Sequence, residues 1–338
     1  MADTFLTLLD MTKMNGTDQA VGIVEEVRTF APEVNVISGR PIKGTTYKAL
    51  VRSALPGGPA FREINTGSAV VASRWDQRIN QTFFLDAQMR VDEAVLDASE
   101  FGADWVLSNE ALGVVKQKLI TLGNQFYYGN PSLTDAGFAG LVYLYDYSNM
   151  EVTANAVGGL GSTTSSAWLV VNLPDCVEFI YGNNQGLMLK QWVPQYITGT
   201  NSQYRAFLNN LSGYVGLSFN YTKSACRIKN LAPPGTASNY SLTDGLVAQA
   251  LALFPVGTVP THLFCNRAQR YALQTSRTPV YGVSTGGTTN AITAATALQF
   301  PSLPNESNGI PLYVTDSITS TETATAAGIP GITVAVPG

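Results

Sequence analysis

Two long runs of alternating side chains in the N-terminal third of the chain predict an extended β-hairpin. The runs cover residues 45–56 and 69–85, and the segment between them is marked by glycine and proline. In the second run Trp75, Ile79 and Phe83 share one face, while the other face is polar or charged. Neither face is apolar enough for a core, and an isolated two-stranded hairpin is marginally stable in water. We therefore expect the hairpin to lie on a neighbouring subunit; the alternative is an ordinary surface hairpin.

The spacing of apolar residues changes from two to three, four or seven after the hairpin, which predicts a long helix over residues 86–129. Acidic side chains crowd the first half of this stretch and lysines its second half, the polarity that the helix dipole favours. Gly102 and Gly113 are candidate breaks in the helix. A long helix beside a long hairpin indicates an elongated subunit.

The remaining pattern is one of shorter elements. Residues 204–231 form a long apolar-rich run, in which Gly213 and Gly216 are expected to mark a turn or a bulge. Residues 242–254 have the spacing of a helix that a Ser or Thr caps. Residues 264–277 are expected to be a strand that runs into a second strand. Together these elements predict an α+β fold.

Composition limits the classes of function. Charged residues make up only 13% of the 338 residues, so much of the surface is uncharged and tolerates extensive subunit contact. The net charge of −4 argues against binding polyanions with the whole chain. Mean hydropathy is +0.07, and no apolar run reaches membrane-spanning length. The first residues lack the basic and apolar regions of a secretion signal.

Candidate metal ligands are few. The three cysteines, Cys176, Cys226 and Cys265, stand far apart without a Cys-x-x-Cys pair, and we expect free thiols. His262 is near Cys265, but two ligands do not make a closed four-ligand site. The sequence therefore predicts neither a metal nor a cofactor.

One motif indicates an enzyme. Gly282, Ser284 and Gly286 form a Gly-x-Ser-x-Gly sequence of the kind found at the nucleophile of serine hydrolases. That fold needs a triad histidine after the serine, whereas the only histidine, His262, precedes it. The residues after Gly286 also have the composition of a loop. We therefore expect no catalytic residue, and a cytoplasmic serine hydrolase stays as the alternative from another class.

Six separate pieces of the sequence carry a resemblance that covers most of the chain. Their order and spacing resemble the major capsid proteins of tailed bacteriophages with the Hong-Kong-97-type fold. The pieces are VGIVEEVRTFAPEVNVISGRPIKGTTYKALVRSALP (21–56), FFLDAQMRVDEAV (83–95), LITLGNQFYYGN (119–130), GFAGL (137–141), FCNRAQRYAL (264–273) and GIPLYVTDSITSTE (309–322).

The resemblance implies four regions. They are an N-terminal arm (1–41), an extended loop that contains the hairpin (42–86), a peripheral domain with a long spine helix (87–150 and 204–231), and an axial domain (151–203 and 232–338). Because the arm is short, assembly is expected to use a separate scaffolding protein or none.

The resemblance also implies a function. It predicts a structural protein, not an enzyme, that assembles with itself into pentamers and hexamers of an icosahedral phage head around double-stranded DNA. Other expected partners are a scaffolding protein, a portal and a decoration protein, with no sequence-specific binding of the genome and no membrane. Its expected location is the virion, after assembly in the host cytoplasm. An encapsulin-type protein compartment has the same fold and is the close alternative.

Contacts between subunits are expected to centre on the hairpin, because buried aromatic and arginine side chains dominate the energy of interfaces. Its basic residues alternate with acidic ones, so docking through ion pairs is favoured over phosphate binding. The predicted contact residues are Arg52, Phe61, Arg62, Arg74, Trp75, Asp76, Arg78 and Ile79.

Overall fold

A computed structural model gives the fold, and its residues fall into two compact units. The first unit comprises Met1–Thr29, Ser38–Gly140 and Glu178–Tyr221, and the second comprises Phe30–Ile37, Leu141–Val177 and Thr222–Gly338. The structure describes residues 6–15, 29, 31–57, 61–62, 64–65, 67, 70–132, 137–144, 150–154, 163–198, 203–233, 240–277 and 302–323.

The described residues form seven α-helices and fourteen strands. The helices are α1 (Leu8–Met14), α2 (Glu33–Val36), α3 (Glu93–Asp97), α4 (Ala103–Tyr128), α5 (Leu141–Leu144), α6 (Asp244–Ala252) and α7 (Arg267–Ser276). The strands are β1 (Gly39–Pro41), β2 (Thr46–Ala54), β3 (Arg74–Gln81), β4 (Phe83–Asp92), β5 (Glu151–Thr153), β6 (Ser165–Val170), β7 (Val177–Tyr181), β8 (Met188–Leu189), β9 (Val193–Thr198), β10 (Gln203–Phe219), β11 (Ala225–Leu231), β12 (His262–Cys265), β13 (Glu306–Ser307) and β14 (Ile310–Val314).

The first unit is built on a sheet whose longest strand is β10, with 17 residues. The strand order is β1, β7, β10, β4, and β8 and β9 also pair with β10. Ten residues of β4 pair with β10 in antiparallel register, from Asp92 opposite Ala206 to Phe83 opposite Val215. This ladder is the scaffold from which the hairpin extends.

The core of the first unit lies between this sheet, α3 and α4. Val91, Val95, Leu96 and Val106 form one buried cluster, and the N-terminal helix α1 completes it with Met11, which is fully buried. Thr7 caps α1 because its hydroxyl accepts a hydrogen bond from the Asp10 backbone amide. Helix α1 is therefore docked on the core of the first unit.

The predicted long helix begins later than the sequence pattern indicates. Residues 86–92 belong to strand β4, where buried Met89 and Val91 alternate with the partly exposed or exposed Arg90 and Gln88. A period of two therefore applies where the prediction used a period near 3.6. Gly102, with a φ of 87°, does separate α3 from α4, but Gly113 lies inside α4. The 26-residue α4 is the long helix of the prediction.

The second unit is built on a sheet of order β13, β14, β12, β6, β11, β5. All residues of β6 and β11 are buried, including Trp168, the largest fully buried side chain among the described residues. Helix α6 is present as predicted, and Thr243 caps it by accepting a hydrogen bond from the Leu246 amide at 3.2 Å.

Two other predictions are wrong. Residues 204–231 break at 220–224, between β10 and β11, and Gly213 and Gly216 lie within β10. Gly216 serves a close approach, because a Cβ there would collide with the carbonyl oxygen of Gln81. Residues 267–276 are the helix α7, which Asn266 caps, where a second strand was expected.

With one exception, the buried charged side chains among the described residues of the second unit form ion pairs. Lys229 Nζ lies 2.7 Å from Glu151 Oε1, and Arg227 Nη2 lies 2.9 Å from Glu322 Oε2. Glu33 in α2 is fully buried, and its carboxylate oxygens have no hydrogen-bond partner of good geometry in the part of the chain that the structure describes. Burial raises the pKa of Glu33, although the nearby Ser317 hydroxyl partly offsets that effect.

Candidate functional site

The predicted hairpin is confirmed as an antiparallel pair of β2 and β3, with shorter strands than expected. It ends at Gln81 because Thr82 breaks the strand, and Phe83 starts β4 in the main sheet. Phe83 therefore does not continue the hairpin face of Trp75 and Ile79. On one face of the hairpin the opposed pairs are Thr46–Gln81, Lys48–Ile79, Leu50–Gln77 and Arg52–Trp75. On the other face they are Tyr47–Asn80, Ala49–Arg78 and Val51–Asp76.

The first of these faces is exposed along its whole length and has an apolar centre. The relative exposure is 70% for Leu50, 50% for Trp75 and 52% for Ile79. Leu50 stands opposite Gln77, so Trp75 and Ile79 are its two diagonal neighbours across the strands. We call Leu50, Trp75 and Ile79 the apolar face of the hairpin. Contiguous exposed apolar residues, unlike single ones, are typical of interaction surfaces.

Cationic side chains flank the apolar face. The guanidinium carbon of Arg52 lies 4.5 Å from the ring centroid of its cross-strand partner Trp75, which is the geometry of a cation–π contact. Exposed Lys48 stands opposite Ile79. The face thus combines an aromatic anchor with positive charge.

The opposite face of the hairpin turns towards the body at its base. Arg78 Nη1 donates to the backbone carbonyl of Asn220 at 2.5 Å, and Asn80 Nδ2 donates to Asn220 Oδ1 at 2.7 Å. Burial lowers the pKa of Arg78, while the nearby Asp76 carboxylate opposes that effect. Asp76 and Arg74 lie farther out on the same strand and are exposed.

The loop beyond the strands carries the other predicted residues. Phe61 is fully exposed, and Arg62 beside it is exposed as well. Leu55, Ile64 and Val70 add further exposed apolar side chains around the loop. The structure thus brings Arg52, Trp75 and Ile79 together on one face, places Arg74, Asp76 and Arg78 on the other, and leaves Phe61 and Arg62 in the loop.

The sequence prediction missed two residues of this region. Leu50 could have been found by counting the strand register back from the turn. Asn220 gave no local signal, because it contacts Asn80 across 140 positions of the chain.

The enzyme and metal alternatives gain no support. The Gly-x-Ser-x-Gly motif at 282–286 lies outside the described residues. Among the described residues no three His, Cys, Asp or Glu side chains are grouped to hold a metal ion. His262 Nδ1 lies 2.7 Å from Thr261 Oγ1, and burial lowers the pKa of His262.

Comparison with known proteins identifies the family. A family model described as major capsid protein GP7 matches residues 15–326. The chain belongs to this family of major capsid proteins. The capsid protein therefore has a structural role in the virion and is not an enzyme. No curated protein matches its sequence.

Solved structures give the fold of the capsid protein. It is similar to a chain of the bacteriophage Epsilon15 structure, with 18% identity over 97% of this chain and 99% of that chain, at a TM-score of 0.69. It is also similar to a chain in the capsid of bacteriophage JBD30 decorated with minor capsid protein trimers, with 12% identity over 94% and 100% of the chains, at a TM-score of 0.50. The predicted Hong-Kong-97-type α+β fold is thus confirmed.

The capsid protein shows no helix suited to a bilayer in the part of the chain that the structure describes. None of these helices is both long enough and apolar enough to cross a membrane.

Proposed function

We propose that the capsid protein assembles with copies of itself into pentamers and hexamers of a closed icosahedral shell, in which the hairpin of one subunit lies on the next. The observation that carries this proposal is the exposed apolar face formed by Leu50, Trp75 and Ile79. Within its own chain this face stays in water, where exposed apolar area is unfavourable. A second subunit is the surface that every copy meets in a shell.

The energy of such a contact fits reversible assembly. Full burial of an apolar side chain of this size contributes about 1.5 to 3 kcal/mol, so three of them are worth several kcal/mol before the cost of association. One contact of this size is weak by itself. Many identical contacts, each heterologous and closing into rings, give a stable shell whose errors can still dissociate during growth.

The resemblance to the major capsid proteins of tailed bacteriophages supports the other parts of the proposed function. Regions 1–41 and 42–86 serve as arm and extended loop, regions 87–150 and 204–231 as peripheral domain, and regions 151–203 and 232–338 as axial domain. The shell encloses double-stranded DNA without sequence-specific binding, and assembly takes place in the host cytoplasm. The JBD30 capsid is decorated with minor capsid protein trimers, which supports a decoration protein as a partner here. A scaffolding protein and a portal complete the proposed partners.

The experiment is to express the capsid protein and measure the mass and shape of the purified product. Light scattering and electron microscopy should show capsomers or closed particles, with or without a scaffolding partner. A variant with Leu50→Ser, Trp75→Ser and Ile79→Ser, which lacks the apolar face, should remain a folded subunit by circular dichroism but form no particles. A stable monomer of the unaltered chain under all of these conditions would contradict the proposal.

A further inference from the structure

The base of the hairpin is held at two separate points within the first unit. The first point is Thr82, the residue between β3 and β4. Its backbone amide and its hydroxyl both donate to the carbonyl oxygen of Thr45, each at 2.9 Å. Thr82 is 8% exposed, so these bonds are shielded from water. They close the hairpin where the chain bends out of the main sheet.

The second point is Asn220, directly after β10. Its carbonyl oxygen accepts from Arg78 and its side-chain oxygen accepts from Asn80, which are two residues of one face of β3. The side-chain nitrogen of Asn220 in turn donates to Ser218 Oγ at 3.0 Å. Asn220 is 3% exposed and Ser218 is fully buried. The bond to Ser218 therefore fixes the side chain of Asn220, and Asn220 in turn holds β3 in place through Arg78 and Asn80.

We propose that Asn220 is a positioning residue that sets the direction in which the hairpin leaves the body of the subunit, and through it the curvature of the shell. This inference rests on the proposed function, because direction matters only if the hairpin contacts a neighbour. If only Thr82 held the hairpin, the hairpin could rotate about that residue. The bonds of Asn220 to Arg78 and Asn80 hold β3 at a second point and so prevent this rotation.

The length of the hairpin amplifies any change at its base. The eight residues of β3 span roughly 25 Å at about 3.3 Å per residue. A tilt of about 10° at Thr82 would then move the outer end of β3 by about 4 Å, which is a full contact distance between apolar side chains. Trp75 lies near that outer end, so small tilts change which atoms of a neighbour it meets.

The test uses variants that loosen the second point and leave the first intact. Asn80→Ala removes the bond from Asn80 to the Asn220 side chain, and Asn220→Ala removes that bond and the one to Ser218. Arg78 still donates to the backbone carbonyl of residue 220 in both variants, so the second point is weakened. Asn124→Ala is the matched control, because Asn124 is exposed on α4. Since Asn80 is not part of the buried core, its variant keeps the test valid if Asn220→Ala does not fold.

The first measurement is made on unassembled subunits. Nitroxide labels on Ala54→Cys at the outer end of β2 and Gln117→Cys on α4, in a Cys176→Ser background, report the direction of the hairpin by pulsed electron spin resonance. We expect the distance distribution to broaden by about 4 Å in Asn80→Ala and Asn220→Ala but not in Asn124→Ala. Equal widths in all variants would overturn the inference, whether or not particles form.

The second measurement is the distribution of particle diameters by electron microscopy. Asn80→Ala and Asn220→Ala should give particles of several sizes or open sheets, while Asn124→Ala gives the uniform size of the unaltered protein. Uniform particles from a variant whose spin-label distances have broadened would show that hairpin direction does not set curvature. Absence of particles from the unaltered protein would instead refute the proposed function itself.

Discussion

Arg52 stacks on Trp75 across the two strands of the hairpin, with 4.5 Å between the guanidinium carbon and the ring centroid. The pair is exposed in the subunit, so it gives the subunit itself little stability. A cation–π contact gains strength when it is removed from water. Docking on a second subunit would therefore strengthen the same pair that is weak in the isolated chain.

Replacing Trp75 by alanine should weaken assembly and leave the subunit folded. Truncation of an interface anchor typically costs about 2 kcal/mol or more per contact, while an exposed substitution changes subunit stability by less than about 0.5 kcal/mol. Particle yield by electron microscopy and the melting temperature of the subunit measure the two effects. Tyr271→Ala is the control, since Tyr271 is also 50% exposed but lies outside the hairpin. Unchanged particles from Trp75→Ala would remove the hairpin from the interface.

Replacing Glu33 by glutamine should stabilise the protein at neutral pH. Burial raises the pKa of Glu33 above its usual 4.5, so the carboxyl group favours the folded state below that pH and loses this contribution as the pH rises through the folded pKa. Glutamine cannot ionise, so it does not lose this contribution as the pH rises, and we expect the variant to be more stable than the unaltered protein at pH 7. Urea unfolding between pH 4 and 8 tests this.

The control for that experiment is Glu306→Gln, which alters an exposed carboxylate. It should change the stability at pH 7 little, because the Glu306 side chain is in water. A Glu33→Gln protein that is less stable than the unaltered chain at pH 7 would show that the buried carboxylate is stabilised in its charged form.

Removing one partner of the buried pair Lys229 and Glu151 should destabilise the second unit more than removing both. The two side chains are 1% and 7% exposed. Lys229→Met alone leaves a buried carboxylate without its cation, which typically costs about 3 to 5 kcal/mol, whereas replacing both partners by apolar groups is often neutral. A double-mutant cycle with Lys229→Met and Glu151→Leu, followed by urea unfolding, measures the difference. Strictly additive losses would mean that the two residues are not coupled.

Two of the three thiols should resist alkylation in the native protein. Burial raises the pKa of both Cys226 and Cys265 to about 12, and the Glu151 carboxylate adds to the rise at Cys226. The thiolate is the reactive form, so it is scarce at pH 8. Mass spectrometry after iodoacetamide treatment should find only Cys176, which is partly exposed, modified. Treatment in denaturant should label all three, and rapid native labelling of Cys265 would contradict its burial.

The sequence predicted the elements whose periodicity was long and unambiguous, but not where one element passes into the next. The hairpin was confirmed because β2 and β3 alternate over many residues. The start of the long helix was wrong because Val91 and Val95, four residues apart, fit either period, and only pairing with β10 favours the strand at Val91. Long-range partners decided these positions, and a single sequence does not carry them.

The candidate site was predictable in the same uneven way. Trp75, Ile79 and Arg52 could be assigned to the hairpin from local alternation. The role of Arg78 depends on Asn220, which follows β10 and reaches the hairpin only through the fold. The sequence therefore predicted which segment is functional better than it predicted what each of its side chains contacts.

The pairing of β4 with β10 also decides how the subunit responds to mechanical load. Hydrogen bonds between antiparallel strands run perpendicular to the strands. A pull on the hairpin reaches β4 through Thr82, and the component of that force along β4 loads the ten paired residues together in shear. Shear loading of this kind spreads the force over the whole ladder. The pairing therefore lets the hairpin carry tension. A neighbouring subunit bound to the hairpin could be pulled outward without breaking the hydrogen bonds between β4 and β10 one at a time.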